Sequence, residues 1–323
     1  RATAQLVRMV GAAPGGKVWA ATGTPLANWP PDLWRVLSTF GLADVSFGSW
    51  PRFVSLFGGT KDRWGKWSWK PPHPSVPGIL SRVMLRRTRA QVLPQLPQKS
   101  YATLPVPLSD PDTRAIEDLL RAAGVRVSEI TPDTLSRLLR SSHIMAARKL
   151  LANAKIKHAL SWAESMEDAG EPVVVFSAHR GPVLAFKGRP RWAVITGDTP
   201  PPERAQIAAT FQRGELAGIA ATIDAGGVAI TLTKSCMALF VDLEWTPAAN
   251  SQAEDRLLRI GQERPVTIYR AVAQPPVDER VETLLRIKAE TLKASVDSIT
   301  ANSDTVVAQR LRDYADQIDL DFM

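Results

Sequence analysis

The chain has 323 residues and a formal net charge of +8, carried by 40 basic and 32 acidic side chains. Its length suits two domains of ordinary size, and its hydrophobic fraction of 45% predicts a packed globular fold. With Cys236 as the only cysteine and four histidines in the chain, a disulfide framework is excluded and a zinc site is not expected.

The first hundred residues predict few regular elements. Residues 1–10 have the pattern of a helix end, and KVWAATGTP (17–25) predicts a short buried strand that enters a turn. A Pro-Pro-Asp start signal predicts a helix over roughly 30–40. Residues 44–78 are rich in Trp, Gly and Pro and predict irregular structure, whereas residues 79–93 have a helical pattern.

From residue 172 onward strand-like and helical stretches alternate, after an extended segment near residue 100 and a mostly helical stretch over 110–168. The candidate strands are 172–178, 191–197, 216–222, 237–243 and 266–273, and the candidate helices are 181–187, 201–213, 227–233 and 247–259. This alternation predicts an α/β fold whose parallel sheet is covered by helices on both faces. Ligands of such sheets bind at the carboxyl ends of the strands. A long amphipathic helix is predicted over 277–296.

The stretch GAAPGGKV (11–18) nearly matches the phosphate-binding loop G-x-x-x-x-G-K-S/T. Val18 stands where that loop needs the hydroxyl that holds Mg²⁺. The glycines also follow a helix and precede a strand, which reverses the functional order. A flexible loop accounts for the stretch better. Since no Asp–Glu pair is expected at the end of an apolar strand either, the chain is predicted to lack a complete nucleotide site of its own.

Six stretches, in chain order, resemble the motifs of the Swi/Snf-type helicase-like ATPases of helicase superfamily 2. They are ATGTPLANWPPDLWRVLSTF (21–40), VMLRRTRAQVLPQLPQK (83–99), VVVFSAHRGPVL (173–184), ITGDTPPPERAQIAATFQRGE (195–215), ATIDAGGVAITLT (221–233) and QAEDRLLRIGQ (252–262). One such motif alone is weak, but six at sensible spacing are a specific signal. The fragments RWGKW and AHRGPVL favour the annealing-helicase branch and its bacterial and phage relatives.

The resemblance implies a motor of two RecA-like lobes that bind ATP between them and grip DNA across both. Residues 1–105 then correspond to the C-terminal remainder of the first lobe with a Trp- and Pro-rich insertion, 106–144 to a helical connector, 145–297 to the second lobe and 298–323 to a polar tail. ATP and Mg²⁺ would be bound mainly by an upstream lobe, without zinc. The implied partners are that upstream half and duplex or forked DNA, contacted through its backbone without sequence recognition.

Arg256 and Arg259 are the catalytic residues that the resemblance implies, as arginine fingers that reach the γ-phosphate across the cleft. Gln252 precedes Arg256 by four residues, and on a helix these three side chains would share one face. Asp255 could orient one of the guanidinium groups. The alternative interpretation is a solvated helix face with an Arg–Asp pair.

Three smaller groups complete the predicted site. Gly226 and Gly227 follow a strand, where a backbone without Cβ can approach phosphate or DNA, or can simply form a strand-to-helix turn. The resemblance implies that Thr22, Gly23 and Thr24 couple the nucleotide state to DNA movement, and that Thr231, Thr233, His179 and Arg180 contact the DNA backbone. Thr231 could instead be a helix-interior threonine, and His179 a structural histidine.

A tryptophan cluster and two departures from the family motifs lie outside the predicted site. Trp64, Trp67 and Trp69 could stack on bases, with packing as the stronger alternative. Two positions depart from the family pattern, because Leu258 replaces a histidine and Ala229 replaces a glycine.

Two functions from different classes stay open. The first is the C-terminal part of an ATP-dependent DNA translocase, and the second is a catalytically inert DNA- or protein-binding module. The intact arginine motif favours the first. No apolar run reaches the roughly 20 residues of a membrane span, and the single cysteine favours a reducing compartment. We therefore expect a cytoplasmic or nucleoid protein, or a nuclear one if the source is eukaryotic. Because the sequence starts at Arg1 without an initiator methionine, we also expect a segment from inside a longer protein.

Overall fold

A computed structural model describes residues 18–21, 30–122 without 62, 64, 66 and 88, residue 124, 142–227 and 230–274, together with residues 7, 9 and 10. The chain divides into two compact units, one within residues 1–94 and the other within residues 95–286. Several predictions lie outside the described residues: the helix over 277–296, the tail over 298–323, and the positions Thr22, Gly23, Thr24, Trp64 and Ala229.

The first unit packs short helices around an aromatic core. Its elements are α1 (Pro30–Thr39), α2 (Ala43–Phe47), α3 (Trp50–Leu56), the antiparallel hairpin of β1 (Thr60–Lys61) and β2 (Trp67–Ser68), α4 (Val76–Leu80) and α5 (Arg89–Val92). Phe47, Phe53 and Phe57 are fully buried, with ring centroids 5.0 Å and 4.4 Å apart along that series. Trp67 and Trp69 stack on each other at 5.5 Å, which supports the packing interpretation for these two tryptophans.

The structure changes three predictions in this unit. Residues 18–21, predicted to lie in a strand, are in no strand. The stretch 44–78 was predicted irregular, yet it contains two helices and a hairpin because its apolar side chains recur at helical spacing and become buried. The single helix predicted over 79–93 is two helices, α4 and α5. Leu85 between them is 43% exposed, whereas Val83 and Met84 pack against the aromatic core.

The second unit is a six-stranded sheet of order β3-β8-β7-β4-β6-β5 in which every neighbouring pair is parallel. The strands are β3 (Lys99–Pro107), β4 (Val173–Ser177), β5 (Trp192–Ile195), β6 (Gly218–Thr222), β7 (Met237–Phe240) and β8 (Val266–Gln274). The helices are α6 (Asp110–Ala122), α7 (Ser142–Ala154), α8 (Ile156–Asp168), α9 (Arg180–Leu184), α10 (Pro201–Gln212), α11 (Ile223–Gly226) and α12 (Pro247–Glu254).

Both faces of this sheet are buried. Along β4, Val174 and Phe176 join one core with residues of α6, α7 and α10, while Val173 and Val175 join the other with residues of α8. Successive side chains of a strand point to opposite faces, so a strand buried on both sides is continuously apolar. The predicted α/β class and all five predicted strands are confirmed. None of the helices in the described part of the chain has the length and hydropathy of a membrane span.

The extended segment near residue 100 is an edge strand of this same sheet. β3 pairs with β8 over nine residues, and Ile116 and Leu120 of α6 lie in the core of the second unit. The compact units divide after Pro94, so β3 belongs to the second unit. Long-range pairing of this kind leaves no local signature in the sequence.

Two helices around the predicted site are shorter than expected. Residues 227–233 were predicted helical, but α11 ends at Gly226 and residues 230–232 are not helical. The helix predicted over 247–259 ends at Glu254. Beyond α12 the main chain is held by another segment, because the Leu232 amide donates to the Arg256 carbonyl at 2.9 Å. In a continued helix that carbonyl would accept from residue 260 instead.

Candidate functional site

Arg256 and Arg259 lie in the arginine turn, residues 255–259, which follows α12. The prediction that they share one helix face with Gln252 is therefore wrong. The arginine turn packs against the segment that follows β6. Arg256 Nη2 donates to the Gly227 carbonyl at 2.5 Å, and Arg259 Nη1 donates to Thr231 Oγ1 at 3.3 Å. The structure thus brings four of the predicted site residues together.

The two guanidinium groups of the arginine turn are close enough to repel each other. Burial and the nearby charge of Arg259 lower the pKa of Arg256, while Asp255 raises it. Arg256 nevertheless stays protonated at ordinary pH, because arginine ionises only at very high pH. Its Nε is buried and has no hydrogen-bond partner among the described residues. Two cations held together over uncharged acceptors form a site that an anion would stabilise.

Gln262, which closes the QAEDRLLRIGQ stretch, fastens the arginine turn to the segment that precedes β7. Its buried Nε2 donates to the carbonyls of Ser235 at 2.7 Å, Thr233 at 3.1 Å and Leu257 at 3.2 Å. The Thr233 hydroxyl accepts from Gln212 Nε2 at 2.9 Å. Sequence reasoning missed Gln262, although its place in the quoted motif was a usable signal. Thr233 is consequently held by protein contacts at both its hydroxyl and its carbonyl.

Close packing explains the two glycines beside the arginine turn. A Cβ at Gly226 would lie 2.8 Å from both Ala221 Cβ and Phe176 Cε1, and one at Gly227 would lie 2.8 Å from the Ile223 carbonyl. Real Cβ atoms do not approach other heavy atoms that closely, so α11 can pack on β4 and β6 only with glycine at position 226. At position 227 the crowding is with the backbone of α11 itself.

Gln252 is exposed on α12, and Asp255 is half-buried at the start of the arginine turn. Asp255 lies near enough to Arg256 for its charge to favour the charged guanidinium. The orienting role of Asp255 stays a prediction.

His179 and Arg180 follow β4 and have other partners than the arginine turn. His179 Nδ1 lies 2.5 Å from Oδ2 of Asp242, while Ser177 Oγ and the Ala178 amide donate to Oδ1 of the same carboxylate. Burial raises the pKa of Asp242. The hydrogen bond and charge of His179, together with the hydrogen bond from Ser177, outweigh this effect and hold the pKa below its usual value. These contacts favour the structural interpretation of His179. Arg180 pairs with Asp198 at 2.5 Å, and both side chains are exposed.

Two acidic residues, Asp242 and Glu244, follow β7 and are separated by Leu243. Asp242 is already bound to His179 and Ser177. Burial raises the pKa of Glu244, and the charge of Asp224 raises it further. Within the described ranges no group of three or more His, Cys, Asp or Glu side chains could hold a metal ion.

Two protein families match consecutive parts of the sequence. The family described as "SNF2-related domain" matches residues 2–156, and "Helicase conserved C-terminal domain" matches residues 153–261. The chain therefore carries an SNF2-related domain followed by a helicase C-terminal domain, which together cover residues 2–261. The second match includes both arginines of the arginine turn. The predicted resemblance is thereby confirmed.

Relatives of this SNF2-related chain include eukaryotic and bacterial proteins. A mouse protein named "DNA annealing helicase and endonuclease ZRANB3" is 25% identical over 313 residues, covering 88% of this chain and 28% of the relative. An "Uncharacterized ATP-dependent helicase" of Mycoplasma pneumoniae is 27% identical over 281 residues, covering 81% of this chain and 26% of the relative. The chain thus spans about a quarter of the length of these curated relatives.

Among solved structures, the "Sulfolobus solfataricus SWI2/SNF2 ATPase core in complex with dsDNA" is similar to this chain at 22% sequence identity. That similarity covers 87% of this chain and 62% of the archaeal chain, with a TM-score of 0.47.

Proposed function

We propose that this chain is the part of an ATP-dependent DNA translocase that supplies Arg256 and Arg259 to the γ-phosphate of ATP held by another lobe. The observation that carries the proposal is the arginine turn itself. Two guanidinium groups lie close together, donate to the uncharged oxygens of Gly227 and Thr231, and are within a region matched by the helicase C-terminal family. The names of the relatives, which include ATP-dependent and annealing helicases, support the same reaction class.

The chemistry of the arginine turn fits a phosphate. A guanidinium is a planar fork of donors that matches phosphate oxygens, and it keeps its charge when partly buried. In phosphoryl transfer the negative charge on the γ-phosphate spreads over its oxygens, so a fixed cation lowers the barrier without reorganising. Arg256 is fixed by the Gly227 carbonyl and retains donors for a ligand. Arg259 is exposed and anchored to Thr231.

The proposal assigns Mg²⁺ mainly to the other lobe. The ion neutralises phosphate charge in such reactions, and the described residues contain no group of three or more His, Cys, Asp or Glu side chains that could hold a metal ion. ATP and Mg²⁺ would therefore be held mainly by the lobe that carries the phosphate loop. This chain's residues would orient and stabilise the transferred phosphoryl group.

The proposed DNA contact is with the backbone. The chain carries a net charge of +8, and Thr231 would present its hydroxyl at the arginine turn while Arg180 would contribute an exposed guanidinium. The Arg259–Thr231 hydrogen bond would link the nucleotide to the DNA contact. Affinity for DNA should then fall steeply as salt rises, because bound phosphates release counterions.

The test is DNA-stimulated ATP hydrolysis by the complete motor that contains this chain. Arg259→Ala should lower turnover by roughly 10³-fold or more while duplex DNA still binds. Arg213→Ala is the matched control, since Arg213 is an exposed arginine whose described ion pair is with Glu215. Wild-type turnover in Arg259→Ala would overturn the proposal. DNA binding without ATP hydrolysis, in the wild type as well, would instead establish the inert binding module.

A further inference from the structure

Glu254 is the last residue of α12 and stands two residues before Arg256. Only 4% of its side chain is exposed. Its carboxylate accepts from Lys99 Nζ at 2.8 Å and from the Tyr101 hydroxyl at 2.9 Å, and it pairs with Arg270 at 3.5 Å. These three partners lie on β3 and β8, so one buried carboxylate joins the end of α12 to the two strands at one edge of the sheet.

The partners of Glu254 are packed on each other. The Arg270 guanidinium lies 4.7 Å from the centroid of the Tyr101 ring, and the Lys99 ammonium lies 5.5 Å from it. Burial lowers the pKa of Lys99, but the Glu254 carboxylate outweighs burial and raises it above the usual value. The cluster therefore holds the carboxylate between two cations and a hydroxyl.

The main chain of Glu254 closes the arginine turn. Its carbonyl accepts from the Leu257 amide at 3.1 Å and from the Leu258 amide at 3.4 Å, so the backbone wraps around Asp255 and Arg256. Leu257 and Leu258 are buried in the core below. On the other side, the Leu232 amide holds the Arg256 carbonyl. The direction of Arg256 thus depends on where Glu254 is held.

Glu254 is the buried member of this cluster, since the side chains of Lys99 and Arg270 are 20% and 31% exposed. Desolvating a carboxylate costs several kcal/mol, and apolar residues of similar size often stabilise a fold equally well. Stability alone therefore does not account for a carboxylate at this position. The directional bonds of Glu254 do define the position of the helix end more narrowly than apolar packing, because apolar contacts have no preferred direction.

We propose that Glu254 is a positioning residue for Arg256: its bonds to Lys99, Tyr101 and Arg270 fix the arginine turn in the orientation that presents Arg256 to phosphate. This inference rests on the proposed function of Arg256. Glu254 itself points toward β3 and β8 and does not touch the phosphate.

Glu254→Gln keeps the size of the side chain and removes its charge. The variant should lower kcat for DNA-stimulated ATP hydrolysis by about 10- to 100-fold, because a displacement of about 1 Å in a catalytic group has an effect of that size. The KM for ATP should stay within about twofold, since the other lobe binds most of the nucleotide. Tyr101→Phe removes one donor and keeps the carboxylate, so it should give a smaller fall in kcat with the same unchanged KM.

The experiment uses the complete motor and four variants: Glu254→Gln, Tyr101→Phe, Arg256→Ala and Glu167→Gln. Glu167 is the matched control because it also accepts several hydrogen bonds, from Arg189 and Trp192, beside β5 at the other edge of the sheet. The second readout is binding of ADP alone and of ADP with aluminium fluoride, which mimics the transferred phosphoryl group. Glu254→Gln should weaken only the aluminium fluoride complex.

The outcomes separate the two ideas. Loss of turnover in Arg256→Ala, with a kcat-only fall in Glu254→Gln that Glu167→Gln does not show, supports the positioning role. Loss in Arg256→Ala with Glu254→Gln no different from Glu167→Gln overturns the role of Glu254 and leaves the proposed function standing. Unchanged turnover in Arg256→Ala overturns both. Should Glu254→Gln fail to fold, Tyr101→Phe decides, because wild-type kcat in that variant also overturns the positioning role.

Discussion

Replacing Gly226 by alanine should destabilise the second unit by about 1–2 kcal/mol, because the added Cβ has no room. It would lie 2.8 Å from Ala221 Cβ on β6 and 2.8 Å from Phe176 Cε1 on β4. Both strands are inside the sheet and Phe176 is fully buried, so neither neighbour can move away cheaply. Overpacking costs about 1–3 kcal/mol, whereas the better helix propensity of alanine gains at most about 1 kcal/mol. Overpacking is the larger effect.

Thermal unfolding of Gly226→Ala and of the matched variant Gly197→Ala measures this difference. A Cβ at Gly197 meets nothing within 4 Å. At about 2–4 °C per kcal/mol for a unit of this size, Gly226→Ala should lower the unfolding midpoint by roughly 2–8 °C, and Gly197→Ala by less than about 2 °C. Equal midpoints, with loss of ATP turnover confined to Gly226→Ala, would refute the packing argument and favour the phosphate-facing role.

Three further substitutions test the neighbourhood of the site. The pKa of Asp242 is lowered in the fold, so the ionised carboxylate stabilises the protein fully above the unfolded pKa near 3.9 and loses this effect as pH falls. Urea unfolding from pH 6 to pH 2.5 should show that Asp242→Asn has a lower free energy of unfolding than the wild type and that this difference shrinks below about pH 4. A difference that stays constant with pH would contradict this. Leu258→His introduces the residue of the family motif but puts an imidazole into the core. Urea unfolding should show a free energy of unfolding lower by about 2–5 kcal/mol. An unchanged free energy of unfolding would argue against a buried Leu258. Gln262→Met leaves buried carbonyls without their donor and should lower the free energy of unfolding by about 2–4 kcal/mol in the same measurement. The control Gln206→Met, at an exposed position, should lower it by less than about 0.5 kcal/mol.

Most of the second unit was predictable because its strands are continuous apolar runs. VVVFS and MALF are buried on both faces, and a parallel sheet covered by helices is the arrangement that such runs favour. The edge strand β3 was harder to place, since only its pairing with β8 makes it part of this sheet. Its alternation of exposed and half-buried residues fits an extended segment in either unit.

The pairing of the arginine turn with the segment after β6 was predictable in part. The resemblance of QAEDRLLRIGQ and ATIDAGGVAITLT to family motifs indicated that both belong to one site. Their contact nevertheless depends partly on backbone groups, the carbonyls of Gly227 and Arg256 and the amide of Leu232, beside the side-chain bond of Arg259 to Thr231. Backbone groups are the same at every position, so a sequence pattern cannot show which of them will meet. The helix predicted over 247–259 was extended too far for the same reason.

Three charged side chains are buried at positions that the sequence alone does not indicate. A periodicity argument assigns every Glu, Lys and Arg to the surface, yet Glu254, Lys155 and Arg148 are all buried. Lys155 donates to the carbonyls of Val241 and Ala271, and Arg148 lies 4.1 Å from the centre of the Trp245 ring. Each of these side chains reaches a partner distant in sequence, on β3 or β8 or in the segment that follows β7. Charged side chains in such places cost stability unless their geometry is satisfied. The burial of such charges therefore depends on partners far apart in the sequence, which a local pattern does not show.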